Sequence, residues 1–229
     1  MLQNVAEGVW VAHQPLKAGG LVPLGTRMSV LRLSDGGLFL HSPIRRTAEL
    51  AAAVDALGPV RVITAPNKLH HLFVGDWISA YPSARSYAAK GLPEKRKDLG
   101  FSGVWDDNTV DGVSDCLEHV CVRGMPALNE VDFYHRPSRS LVITDLALNF
   151  TRNESDSLVS RIYYRLTGAG AGLGQNAVVR MVIKDKARVL ESIDRILAWD
   201  FQRILLCHGD LVLKDAKAKL QKATDWLRV

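Results

Sequence analysis

Apolar residues come along this chain in short runs that end abruptly on polar ones. Val9 to Ala12 reads as a first strand, Met28 to Leu33 as a second with partial alternation, and Leu38 to Leu40 as a third. Between the last two, Ser34-Asp35-Gly36-Gly37 supplies a turn. Asp-Gly between two apolar runs predicts a hairpin, because glycine accepts the positive φ that a tight turn needs. From Thr47 to Leu57 the spacing changes to that of a helix, with Leu50, Val54 and Leu57 on one side, and Gly58-Pro59 stops it. Val60 to Thr64 then has little polar content, as a strand buried on both faces would. It breaks at Ala65-Pro66 and leads to two adjacent histidines, His70 and His71.

Further along, Leu72 to Tyr81 reads as a helix and Ala84 to Ala88 as a short strand, whereas residues 91–115 are polar and loop-like. Cys116 to Val122 partly alternates, and Val131 to His135 follows as a strand. After a turn at Arg136–Arg139, Ser140 to Asp145 is a strand that ends on a carboxylate. Residues 155–200 are mainly helical in pattern, interrupted by a glycine-rich loop from Gly168 to Gly174. The clearest helix there is Arg188–Trp199, with Val189, Leu190, Ile193, Ile196 and Leu197 at helical spacing. Arg203 to Cys207 is a last buried strand, ending at His208-Gly209-Asp210, and Lys214 to Leu227 closes the chain as a basic amphipathic helix.

The 229 residues are 47% hydrophobic and 23% charged, an ordinary globular mixture, and no Pro/Ser-rich linker divides them. One α/β domain over residues 1–229 is expected. The net charge of +5 would admit an anionic partner. However, the lysines and arginines are scattered, and the densest run, Lys95-Arg96-Lys97, has no interleaved aromatics. A nucleic-acid surface is therefore not expected, since its footprint is clustered. Three cysteines without a Cys-x-x-Cys spacing make no disulfide framework and fit a reducing compartment. The first seven residues lack the pattern of a signal peptide, and no uncharged apolar run reaches about 18 residues, so no membrane span is expected. The expected location is the cytoplasm.

Three of the strand-like runs lead to residues that ligate metals: Val60–Thr64 to His70, Ser140–Thr144 to Asp145, and Ile204–Cys207 to His208. Open α/β sheets place their sites beyond the carboxyl ends of strands. Imidazole with carboxylate suits zinc, iron or manganese, and three protein ligands with an open position is the pattern of a catalytic zinc. An ion there would acidify water and polarise a substrate oxygen. The structural alternatives are that His70 and His208 are polar groups satisfied at strand ends, and that Asp145 caps the next turn.

The other candidates point away from chemistry. The Gly168–Gly174 run lacks the Lys-Ser/Thr ending of a phosphate loop, and Ser42, after His41, has no nucleophile elbow. Cys207 ends a buried strand, where thiols are inert. His41 and His135 adjoin proline-containing turns, while His13 and His119 have no motif around them.

The whole chain resembles the metallo-β-lactamase-like superfamily, in a branch with eroded metal motifs. The superfamily's Thr-His-x-His-x-Asp-His is represented by Thr64-Ala65-Pro66-Asn67-Lys68-Leu69-His70, its Thr-Gly-Asp by Ile143-Thr144-Asp145, and its Gly-His-Gly by Cys207-His208-Gly209. The third histidine motif falls near Val122–Pro126, with Met125 at the ligand position, and His41-Ser42-Pro43 stands where an aspartate is usual. The resemblance implies a four-layered αβ/βα sandwich with its site at one edge of two sheets. It also implies that Ala65, Asn67 and Met125 remove a three-histidine site. His70, Asp145 and His208 keep three of four ligands of the other site, where Leu69 replaces the aspartate. One divalent ion rather than two is expected, with Asn67, His71 and His41 as outer neighbours of the ligands.

The leading expectation is a mononuclear metal-dependent hydrolase of a small-molecule substrate, with Asp145 or a neighbouring group orienting the attacking water. Esters, amides, thioesters and phosphoesters all occur in the superfamily it resembles. The rival is a non-catalytic member that binds a ligand or partner in the former active-site cleft, a reading prompted by Leu69.

Overall fold

The fold is seen in a computed structural model, which describes residues 1–18, 22–108, 110, 112–150, 172–175 and 177–228. The strands of the first sheet are β1 (Leu2–Ala6), β2 (Val9–Gln14), β5 (Thr26–Arg32), β6 (Leu38–His41), β7 (Val60–Ala65), β8 (Arg85–Ala88) and β9 (Gly103–Val104), in that spatial order. Strands β3 (Lys17–Ala18) and β4 (Val22–Pro23) form a separate short ribbon. Neighbours from β1 to β6 run antiparallel, and those from β6 to β9 run parallel. The second sheet has the order β10 (Leu117–Cys121), β11 (Val131–His135), β12 (Ser140–Ile143) and β15 (Arg203–Leu206). Its last pair is parallel, whereas the others are antiparallel. Another ribbon joins β13 (Leu148–Phe150) to β14 (Gly172–Gly174).

Side chains that alternate along these strands separate three apolar layers. Leu31, Phe39 and Val62 of the first sheet meet Phe133, Val142 and Leu205 of the second between the sheets. The opposite face of the first sheet, with Val30, Leu40 and Ile63, is covered by α1 (Ala48–Asp55), α2 (Val74–Ala80) and α3 (Leu92–Lys95). The opposite face of the second sheet, with Leu141, Ile143 and Ile204, packs on α5 (Lys186–Ala198) and α6 (Ala216–Thr224), which follow α4 (Ala177–Val182). Helix, sheet, sheet and helix make the four layers expected. Each sheet is apolar on both faces, so each must be covered twice.

Most elements lie where the hydrophobic pattern predicts them, and the differences are local. The hairpin forms with Arg32 opposite Leu38, and the Asp35 side chain accepts from the Gly37 N–H at 2.8 Å to shape its turn. Thr47 caps α1 by accepting from the Leu50 N–H. The helix expected from Leu72 begins at Val74, because the chain first turns through His70–Phe73 and leaves Leu72 exposed. Residues 91–115, read as loop, include α3 and the edge strand β9, elements too short for periodicity to register. β1 carries no hydrophobic pattern, because its residues are exposed or half-buried and mixed in polarity. The closing helix ends at Thr224 and continues as a 3-10 turn over Asp225–Arg228. In the helical stretch expected over 155–200, residues 155–171, and so most of the glycine-rich run, lie outside the described residues. Its tail, Gly172–Gly174, is strand β14.

Candidate metal centre

The sheets bring their carboxyl ends to one edge. β12 and β15 are parallel neighbours, with Ile143 opposite Leu206, so Asp145 and His208 leave the second sheet side by side. β7 delivers Asn67 and His70 from the first sheet. Two backbone bonds stitch this loop to the second half of the chain, from Lys68 N–H to Leu128 O at 2.9 Å and from Val131 N–H to Pro66 O at 2.8 Å. As a result Nε2 of His70 lies 3.0 Å from Nε2 of His208. Asp145 offers Oδ2 to the first at 3.5 Å and Oδ1 to the second at 3.5 Å. The side chains are only 7% (His70), 13% (Asp145) and 7% (His208) exposed.

Each group is held from behind. The Nδ1–H of His208 donates to the Gly25 carbonyl at 2.7 Å, which leaves the Nε2 lone pair turned toward the cluster. Nδ1 of His70 pairs with Ser42 Oγ at 2.7 Å, and Ser42 takes a left-handed φ of 51° to present that hydroxyl. Asn67 serves both strands. Its Oδ1 accepts from the Leu69 and His70 N–H groups at 2.8 Å each, and its Nδ2 donates to Asp145 Oδ2 at 2.8 Å and to Thr144 Oγ1 at 2.9 Å. Gly209, at φ +75°, follows His208 so closely under Asn149 that an added Cβ would stand 2.1 Å from its carbonyl oxygen.

One positioning residue has no motif. Glu130, fully buried, accepts the backbone N–H groups of Thr144, Asp145 and Leu146 at 2.8–3.0 Å, and so fixes the loop that carries Asp145. The signal was present in Glu130-Val131-Asp132-Phe133, where acids alternate with apolar residues on a strand with no exposed face. Asp132 is the second buried acid. Neither of its oxygens accepts a hydrogen bond, and burial, then the Glu130 carboxylate beside it, push its carboxyl well above the usual range.

The electrostatics suit a cation-binding cluster. Burial alone would raise the Asp145 carboxyl, but His70 and then His208 hold it well below the usual carboxylate range. Burial lowers His208, and Asp145 outweighs that to leave it raised. Ligand atoms around a tetrahedral zinc at ~2.0–2.1 Å stand roughly 3.3 Å apart. The two imidazole nitrogens, 3.0 Å apart, are near that spacing, the two 3.5 Å contacts go to different oxygens of Asp145, and one ligand atom from each residue can be chosen so that all three lie within 4.8 Å of one another. The three residues can hold a metal ion, and no other such group appears among the described residues.

The remaining candidates are placed elsewhere. His71 is buried and turns its Nδ1 to Arg96 Nη1 at 2.9 Å, not to the cluster. Burial, then Lys95 and Arg96, lower its imidazole to about 4. His41 lies fully buried between the sheets, edge-on to Phe133 with ring centroids 5.6 Å apart, and neither ring nitrogen is hydrogen-bonded. Burial, then His70, lower it to about 3. Met125 is fully buried in the helix-covered core of the second sheet, whereas Leu69 is 53% exposed and lines the cleft at the site. Cys207 is buried beneath, and burial pushes its thiol up.

Residues 6–92 match the family model of a domain of unknown function (DUF4336). No curated protein sequence matches the chain. Solved structures match it from end to end. A metallo-β-lactamase from Pontibacter korlensis aligns with a TM-score of 0.66 at 12% identity, covering 98% of this chain and 98% of that one. A metallo-β-lactamase from Hirschia baltica aligns at 0.67 and 11%, covering 99% and 96%. The FIM-1 metallo-β-lactamase from Pseudomonas aeruginosa, in its mono-zinc form, aligns at 0.63 and 10%, covering 100% and 96%. The chain therefore has the metallo-β-lactamase fold.

Proposed function

We propose that this protein is a hydrolase that works with one divalent ion held by His70, Asp145 and His208. The observation that carries this reading is the convergence of two histidine Nε2 atoms and one carboxylate from separate strands, each oriented from behind. Two imidazoles and a carboxylate suit zinc, iron or manganese. A bound divalent ion supplies water of lowered pKa and polarises a substrate oxygen.

The chain's own residues set the rest. Asn67 holds Asp145 Oδ2, and Oδ1, 3.5 Å from His208 Nε2, is the oxygen that would orient the attacking water and accept its proton. Ser42 and the Gly25 carbonyl fix the two ring planes. Asn67, tied to Thr144 and Asp145, fills the position of a histidine ligand with an amide already engaged, which supports one ion rather than two.

The second reading, a cleft that binds a ligand without turnover, is favoured by Leu69, an exposed apolar side chain where an acid would help to hold water. Metal content per chain, measured after purification without chelator and beside His208→Ala, tests the proposal. About one ion per chain, lost in the variant, is expected. Absence of bound metal after incubation with zinc, manganese or iron would sink the hydrolase and leave the binding cleft.

A further inference from the structure

The cleft that contains His70, Asp145 and His208 has a volume of about 430 Å³, within the ~300–1,000 Å³ of small-molecule sites. Its walls are mostly apolar, supplied by Leu16, Leu24, Leu69, Leu72, Phe73 and Leu128 among others. Leu69 and Leu72 are 53% and 60% exposed, so the apolar wall continues outward onto the surface. Large aliphatic side chains open to water beside a reactive cluster are a cost that a bound apolar group removes.

Apart from Asp145, which faces the two histidines, the charged residues that line the cleft among the described residues are Lys17 and Lys95, both exposed. Nζ of Lys95 donates to the Lys68 carbonyl at 2.7 Å, which fixes the ammonium and leaves two of its three protons for a ligand. An apolar trough with lysines at its mouth is complementary to a molecule with an aliphatic body and an anionic end.

Resting on the hydrolase reading for the position of the reacting bond, we infer that the substrate is an anionic acyl compound. Its aliphatic chain lies along the leucine-lined walls, its cleavable acyl bond at the His70–Asp145–His208 cluster, and its anionic group against Lys17 and Lys95. Hydrolysis consumes one water: its oxygen forms a bond to the acyl carbon, the bond from that carbon to the leaving heteroatom breaks, and a water proton passes to the heteroatom.

The test uses the full chain freed of metal, so that binding is read without turnover or coordination to an ion. Calorimetric titration with hexanoate, octanoate, decanoate and uncharged 1-decanol is made on the native protein, on Leu72→Asp and on Lys17→Gln/Lys95→Gln. One decanoate per chain is expected, with affinity rising about two- to fourfold per added methylene. The double lysine variant should lose at least about fivefold for decanoate and nothing for decanol, whereas Leu72→Asp weakens both. Equal affinity across the acid series, or decanoate binding unchanged in both variants, would overturn the inference. The two readings fail separately. Ordered chain-length dependence in a protein that never binds metal keeps the acyl cleft and removes the hydrolase, and a flat series in a protein that binds one ion does the reverse.

Discussion

His70 and His208 are 138 residues apart in the chain and present their Nε2 atoms to each other at 3.0 Å. With each Nδ1 atom engaged from behind, the pair has nothing to separate it except what Asp145 contributes from the side. An ion that satisfies all three groups stabilises the folded chain alone.

Chelation should therefore lower the melting temperature, and added zinc should restore it. Free ion at about 100 times its Kd contributes about 2.7 kcal/mol of stability. Scanning calorimetry on the native protein and His70→Ala checks this. A melting temperature that zinc moves equally in both would place the ion elsewhere.

Glu130→Gln should destabilise by about 2 kcal/mol, since a carboxylate that takes three backbone N–H bonds becomes a weaker neutral acceptor. Because the loop it fixes carries Asp145, metal affinity should fall in the same variant. Urea unfolding and metal titration read the two effects. A stability loss without a change in affinity would reduce Glu130 to a core residue.

The two unsatisfied buried groups should respond to pH in opposite ways. His41, lowered by burial and then by His70 to about 3, refuses a proton that the unfolded chain takes up near 6.5. Its penalty is absent above that pH and grows by up to about 1.4 kcal/mol per unit as pH falls toward 3. His41→Leu should gain on the native protein as the solution is acidified from pH 7 to pH 5, as denaturant midpoints would show.

Asp132, raised by burial and then by Glu130, keeps a proton that the unfolded chain gives up near pH 4. Its cost therefore grows as pH rises. Asp132→Asn should match the native protein near pH 4 and be more stable at pH 7.5. An asparagine variant less stable at pH 7.5 would contradict the assignment.

Gly209→Ala should disturb both stability and metal binding, because its Cβ would meet the Asn149 carbonyl and φ +75° disfavours any other residue. A loss of about 2 kcal/mol or more is expected, with weaker metal retention, read by urea unfolding and elemental analysis.

The local elements, and the strand ends at which chemistry could sit, are written in the order of the residues. Buried runs such as Val60–Thr64, where Arg61 is the exposed exception, and Ile204–Leu206 are legible because a strand covered on both faces must be mostly apolar, and His70, Asp145 and His208 follow such runs. The short elements are illegible for a different reason: Gly103–Val104 and Leu92–Lys95 are too short to show a period. How those ends meet is set by packing between the two halves of the fold. The parallel register of β12 with β15 puts Asp145 beside His208, and the bonds from Lys68 and Val131 across to the facing half bring His70 over to them. It also decided what Glu130, Asn67 and Ser42 do, since each bonds to atoms that no local pattern connects to it. Hydrophobic periodicity reports which face of an element is dry; which polar groups then face one another depends on packing between elements distant in sequence.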